Sequence, residues 1–130
     1  MKKVLVVEDD NINMQLICEI LIAEGFKTEV AMNGFEAIKM TENELYDLIL
    51  MDIELPGMDG IEATRIIKNK IKNKDVPIIA LTAYAMRGDK ERIIEAGLDD
   101  YISKPWVMSD FINRMEKYRN GKQLNNSTGN

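Results

Sequence analysis

Short apolar runs that stop abruptly at a polar group recur along this chain, and they constrain its fold more than any other feature. Residues 4–7 run into Glu8-Asp9-Asp10, residues 48–51 into Asp52, residues 78–81 into Thr82, and Tyr101-Ile102-Ser103 into Lys104-Pro105. Unbroken apolar runs of this length suit strands covered on both faces, the environment of a parallel sheet. Parallel neighbours share one C-terminal edge. On that edge the acids, the hydroxyl and the lysine would converge on a single pocket.

Between the runs the period is helical. A first helix is expected behind an N-cap at Asp10 or Asn11, with Leu16, Ile17, Ile20 and Leu21 facing inward and Gly25 closing it. Residues 27–31 alternate as an edge strand does. Asn33 and Glu36 have the spacing of a capping box, with Ala37, Ile38 and Thr41 facing inward behind it. A third strand is expected over 46–51, then the turn-rich loop Leu55-Pro56-Gly57-Met58-Asp59-Gly60. A third helix should run from Ile61 to about Ile71, with Ala63, Ile66, Ile67 and Lys70 at helical spacing. A fourth strand over 76–81, a helix ending at Ala96-Gly97 and a short strand over 100–103 follow. The last helix starts near Ser109 and packs through Phe111, Ile112, Met115 and Tyr118.

Five strand–helix units give an α/β doubly wound parallel sheet, (βα)5 and flavodoxin-like, in strand order 2-1-3-4-5. Such sheets bind ligands at the switch point beside strands 1 and 3, where Glu8-Asp9 and Asp52 fall. The folded domain is expected over 1–119. Residues 120–130, polar and rich in Asn, Gly, Ser and Thr, are expected to form a disordered tail.

Composition removes several classes of function. A net charge of -5 lacks the basic face that direct binding to DNA requires. No apolar run approaches the ~20 residues of a membrane span, so a cytoplasmic location is expected. With one cysteine, Cys18, and no histidine, an internal disulfide, the usual zinc sets and Ser-His or Cys-His catalysis are excluded.

The pocket itself suggests phosphoryl chemistry. Clustered carboxylates at Glu8, Asp9 and Asp52 would repel by about 4 kcal/mol per pair at an effective dielectric of ~20. Mg2+ relieves that repulsion, using one or two carboxylates and keeping several waters. The plainer reading of Asp9 and Asp10 is that they cap a helix. Asp52 is the candidate nucleophile, since a carboxylate forms an acyl phosphate when charge on the incoming group is neutralised. Thr82 would donate its hydroxyl to one phosphoryl oxygen, and Lys104 would set a positive charge on another. Lys104-Pro105 also invites a cis peptide bond that would aim the lysine over the sheet edge.

These segments, in this order and at this spacing, resemble the receiver domain of bacterial response regulators from residue 2 to about 119. The strands ending at Glu8, Asp52, Thr82 and Lys104-Pro105 carry the likeness, with the loop Leu55-Pro56-Gly57-Met58-Asp59-Gly60. The early Glu-Asp-Asp-Asn and the Tyr84-Ala85-Met86 segment look like single-domain regulators and the receivers of hybrid kinases. The resemblance implies Asp52 as phosphoacceptor, with Mg2+ held by Glu8, Asp9, Asp52 and the backbone carbonyl of Glu54. It implies Thr82 and Lys104 as readers of the phosphoryl group and Tyr101 as a switch side chain that turns inward with Thr82. Glu54 and Tyr84, two positions after Asp52 and Thr82, would set phosphate lifetime, with Tyr84 shielding the bond and Glu54 turned outward by repulsion.

The phosphodonor implied is a histidine kinase or a histidine phosphotransfer protein. A downstream protein would read the face of the fourth helix, fifth strand and last helix. Met14, Cys18 and Ile22 recur every four residues on the first helix and could form a partner-facing stripe, or simply adventitious exposure. Trp106 could contact a partner or pack on the last helix. On this reading the chain is a signalling switch that catalyses only its own phosphorylation and dephosphorylation. The alternatives are a Mg2+-dependent aspartyl-phosphate phosphatase, or a receiver cut from a hybrid histidine kinase.

Overall fold

A computed structural model describes residues 1–83 and 90–119. Tyr84-Ala85-Met86 and the tail over 120–130, named above, lie outside the described residues. The elements alternate as β1 (Lys3–Val7), α1 (Asn11–Ala23), β2 (Lys27–Ala31), α2 (Gly34–Asn43), β3 (Leu48–Asp52), α3 (Gly60–Lys68), β4 (Ile78–Thr82), α4 (Lys90–Glu95), β5 (Asp100–Ser103) and α5 (Met108–Arg119). The strands form one sheet in the order β2-β1-β3-β4-β5, and every neighbouring pair is parallel. This is the flavodoxin-like arrangement expected from the alternation.

Side chains alternate between the two faces of the sheet, as the period of two requires. Leu5, Val7, Ile49, Met51, Ile78 and Ala80 pack with residues of α2, α3 and α4 in one cluster. Val4, Val6, Leu48, Leu50, Ile79 and Leu81 pack with α1 and α5 in the other. Both central strands β3 and β4 are buried throughout, which explains why they read as continuous apolar runs.

Register then sets the functional edge. Val7 pairs with Met51, Asp52 with Leu81, and Thr82 with Ser103. The residues that follow Val7 and Ser103 are Glu8 and Lys104, so all the polar strand ends come level. At the same edge Asp10 caps α1, its carboxylate accepting from the Ile12 amide at 3.1 Å. Asp10 is thus committed to the helix, while Glu8 and Asp9 are left to the pocket.

Four local expectations shift. The third helix ends at Lys68 rather than near Ile71; Asn69 caps it, Lys70 is exposed and Ile71 is 94% exposed. Asn73 follows with φ 70°, a left-handed turn that asparagine tolerates. Its buried amide donates to the carbonyls of Thr41 and Glu44, both at 2.7 Å, and accepts from the Tyr46 amide at 3.0 Å. That side-chain contact takes Tyr46 out of the ladder, so β3 begins at Leu48. β4 is likewise Ile78–Thr82, two residues later at its start and one at its end. In α1 Leu16 is 41% exposed, whereas Met14 and Cys18 pack partly against the core beside Ile17 and Leu21. Leu16 lies about 100° around the helix from Ile17, far enough to leave the core face.

Candidate functional site

The pocket at the C-terminal edge is built on two rigid strand ends. Glu8 and Asp52 are each only 2% exposed, while Asp9 is exposed. One carboxylate oxygen from each of Glu8, Asp9 and Asp52 lies within 4.8 Å of the others. The β3–α3 loop stays tight because Gly60 sits against the backbone of Asp52. A Cβ on Gly60 would fall 2.3 Å from the Asp52 carbonyl oxygen and 2.9 Å from Met51 Cγ. The Asp59-Gly60 pair reads as a turn in the sequence, but the need for glycine arises from this close approach.

Lys104 reaches the pocket from just after β5, and the peptide bond that follows it, to Pro105, is cis. Its Nζ donates to Asp52 Oδ1 at 2.9 Å, and the Glu54 amide donates to the same oxygen at 2.9 Å. Burial alone would lower the lysine's pKa. The hydrogen bond and charge of Asp52, with Glu8 and Glu54 behind it, outweigh burial and hold it above its ordinary value. Lys104 therefore stays cationic.

Glu8 shows the opposite stress. Burial first, then the negative charge of Asp52, pushes its pKa up to about 7, although the Asp10 amide donates to its Oε2 at 3.2 Å. One ammonium group does not balance this many carboxylates. An all-oxygen cluster with no sulfur or imidazole is the donor set of a hard divalent cation.

The Glu54 side chain has partners that its place in the sequence does not announce. Its carboxylate turns in over the pocket: Oε2 accepts from Thr82 Oγ1 at 2.8 Å, and Oε1 accepts from the Ala83 amide at 3.3 Å. Lys104 Nζ lies 3.5 Å from that same Oε1. Repulsion by a phosphoryl group on Asp52 is what would turn this carboxylate outward. Here two donors and a cation draw the side chain inward. The Ala83 amide, as a backbone donor, leaves no signature in side-chain identity.

Away from the pocket, Tyr101 is half-buried against the cluster beneath α2, α3 and α4, with Lys90 Nζ 5.6 Å from its ring centre. Trp106 packs inward, its ring centre 5.0 Å from that of Phe111 on α5. Of the stripe expected on α1, Ile22 is 59% exposed and Met14 and Cys18 are half-buried. The apolar face turned to solvent is instead Ile12, Leu16 and Ile22, the first of these 76% exposed. A cleft of about 390 Å3 lined by Met1, Lys2, Gly25, Asp47 and Arg119 lies at the opposite end of the sheet, far from this chemistry. Among the described residues no helix is long and apolar enough to cross a membrane.

Comparison with known proteins agrees with this geometry. The sequence is 42% identical over 117 residues to the polar-differentiation response regulator DivK of Brucella anthropi, covering 90% of this chain and 95% of that one. The fold matches the receiver domain of the sensor histidine kinase PA1611 from Pseudomonas aeruginosa, a structure with a magnesium ion coordinated in the active site cleft. That match has a TM-score of 0.84 and 36% identity over 92% of this chain and 98% of the other. The chemotaxis response regulator CheY4 of Vibrio cholerae superposes with a TM-score of 0.86 at 25% identity, covering 91% and 98% of the two chains. Residues 4–116 match the response regulator receiver domain family. The chain belongs to that family, the receiver domains of two-component signalling.

Proposed function

We propose that Asp52 accepts a phosphoryl group from a phosphohistidine on a histidine kinase or phosphotransfer protein, and that the domain over residues 1–119 relays this event through protein contacts. The observation that carries the reading is the Lys104 ammonium held 2.9 Å from a buried Asp52, itself clustered with Glu8 and Asp9. An ammonium beside one buried carboxylate is an ordinary ion pair, but here two further acids crowd the same edge. A carboxylate that must meet an anionic phosphoryl group gains a fixed positive charge.

Mg2+ fits this donor set. Glu8, Asp9 and Asp52 would hold it with the backbone carbonyl of Glu54, and it would neutralise charge on the transferring group. The remaining work falls to the chain. Lys104 and the Glu54 amide orient Asp52 by fixing Oδ1. As the phosphorus–oxygen bond to Asp52 forms, the phosphorus–nitrogen bond of the donor breaks and the imidazole leaves with the electron pair. Lys104 then pairs with one phosphoryl oxygen, and Thr82 donates its hydroxyl to another.

Thr82 and Tyr101 are proposed to move together, re-shaping the face of α4, β5 and α5 for a downstream partner, a two-state element biased by local charge. Ile12, Leu16 and Ile22 on α1 are the proposed docking face for the phosphodonor. The chain would thus act as a switch and not turn over a separate substrate. A phosphatase would use an acid two residues after the nucleophile; here that residue, Glu54, is engaged by Thr82 and Ala83. The test is Asp52→Asn, which should fold normally and take no label from a phosphohistidine donor or acetyl phosphate. Full labelling of that variant would exclude Asp52.

A further inference from the structure

Thr82 and Lys104, assigned above to an incoming phosphoryl group, already have an anion of the chain's own, and the neighbouring Ala83 amide joins them. Thr82 Oγ1 and the Ala83 amide donate to the two carboxylate oxygens of Glu54, at 2.8 and 3.3 Å. Lys104 divides its charge between Asp52 Oδ1 at 2.9 Å and Glu54 Oε1 at 3.5 Å. The reach is set by the backbone. The Glu54 amide is tied to Asp52 Oδ1, so its Cα is fixed beside the nucleophile. Two methylenes then carry the carboxylate across to β4. The side chain is 28% exposed, so it is not locked into the core.

We propose that the Glu54 carboxylate is an internal occupant of the phosphoryl seat, which a phosphodonor must displace before Asp52 can react. This rests on the assignment of Asp52 as acceptor and extends it. A carboxylate offers two anionic oxygens where a phosphoryl group offers three, so it can engage the same donors yet yield to the better ligand. It would therefore act as a threshold against small anionic donors. A simpler effect has to be separated from this one: Glu54 could slow such donors by charge repulsion alone, with no contact to Thr82 or Ala83. Aspartate at this position separates the two. It keeps the charge but falls short by about one carbon–carbon bond, roughly 1.5 Å, too far to reach the Thr82 hydroxyl.

The experiment compares wild type, Glu54→Ala and Glu54→Asp at saturating Mg2+. Two quantities are read: the initial rate of labelling by acetyl phosphate, and the affinity for beryllofluoride by fluorine NMR. In the labelling reaction the phosphorus–oxygen bond to Asp52 forms as that to acetate breaks, and acetate departs as the anion. Both variants should gain about fivefold in rate and in beryllofluoride affinity, the order expected for losing one partly exposed charged contact. Glu54→Asp behaving as wild type would overturn the proposal, whether or not Glu54→Ala is faster. Slower labelling in both variants would overturn it as well, since Glu54 would then be assisting. If wild type itself takes no label at Asp52, the underlying assignment fails. If wild type labels there and neither variant differs, the assignment stands and the occupant does not.

Discussion

At Glu8 two unfavourable effects meet: the carboxyl is buried, and Asp52 stands beside it with the same charge. Its pKa in the folded chain is raised from 4.5 to about 7. An acid raised by folding adds stability that is fully present below its unfolded pKa and lost as pH rises through the folded value. In chelator, the melting temperature of wild type relative to Glu8→Gln should therefore fall between about pH 4.5 and pH 7. A difference that is flat or rises across that window would contradict the burial and repulsion assigned to Glu8. Residue identity and spacing made Glu8, Asp9, Asp52, Thr82 and Lys104 legible, since each ends or follows a strand of the sheet. The direction of the Glu54 side chain was not legible. It depends on the Thr82 hydroxyl at the end of β4 and the Ala83 amide just after it, 28 and 29 residues away in sequence.

Among the elements, α1 has the least directional pattern. Ile12, Met14, Leu16, Ile17, Cys18, Ile20, Leu21 and Ile22 are apolar nearly all the way round, so the periodicity fixes a helix but not which side meets the sheet. Packing decides it, burying Ile17, Ile20 and Leu21 and leaving Ile12, Leu16 and Ile22 outside. Ile12→Ala with Leu16→Ala should slow phosphotransfer from a histidine donor about tenfold, the loss of two interface anchors. Labelling by acetyl phosphate should be unchanged, because it needs no docked protein. Equal slowing with both donors would mean that the pair supports the fold and not a partner. The β3–α3 loop makes a second demand. Gly60→Ala must push Cβ against the Asp52 carbonyl, at a cost on the order of 2 kcal/mol, and should slow labelling at Asp52. Gly34→Ala meets Ala63 and Met58 only at 3.3 Å and should cost less. Thermal melts of the two variants check that order; a milder effect at Gly60 would contradict the close approach.

For the whole molecule, the sheet order was readable because parallel register places every polar strand end on one edge. The exact starts of β3 and β4 were not, because the Asn73 side chain holds the chain before β3, and before β4 the Val76 carbonyl accepts from Lys68 Nζ while its amide donates to the Asn73 carbonyl, bonds that no periodicity announces. Magnesium should couple the edge to global stability. At ten times its dissociation constant the gain is about 1.4 kcal/mol, a melting shift of roughly 3–6 °C. Asp9→Ala should lose that shift, and should melt higher than wild type in chelator, since one repelling charge is gone. An equal magnesium response in the two proteins would place the cation elsewhere. The central claim concerns one bond, the acyl phosphate on Asp52, and borohydride trapping reads it directly. Borohydride reduces an acyl phosphate on aspartate to homoserine, which peptide mass spectrometry locates. After treatment with a phosphohistidine donor and Mg2+, homoserine should be found at position 52 and at no other aspartate. Homoserine at Asp9 or Asp59, or a fully phosphorylated protein with none at position 52, would contradict the account.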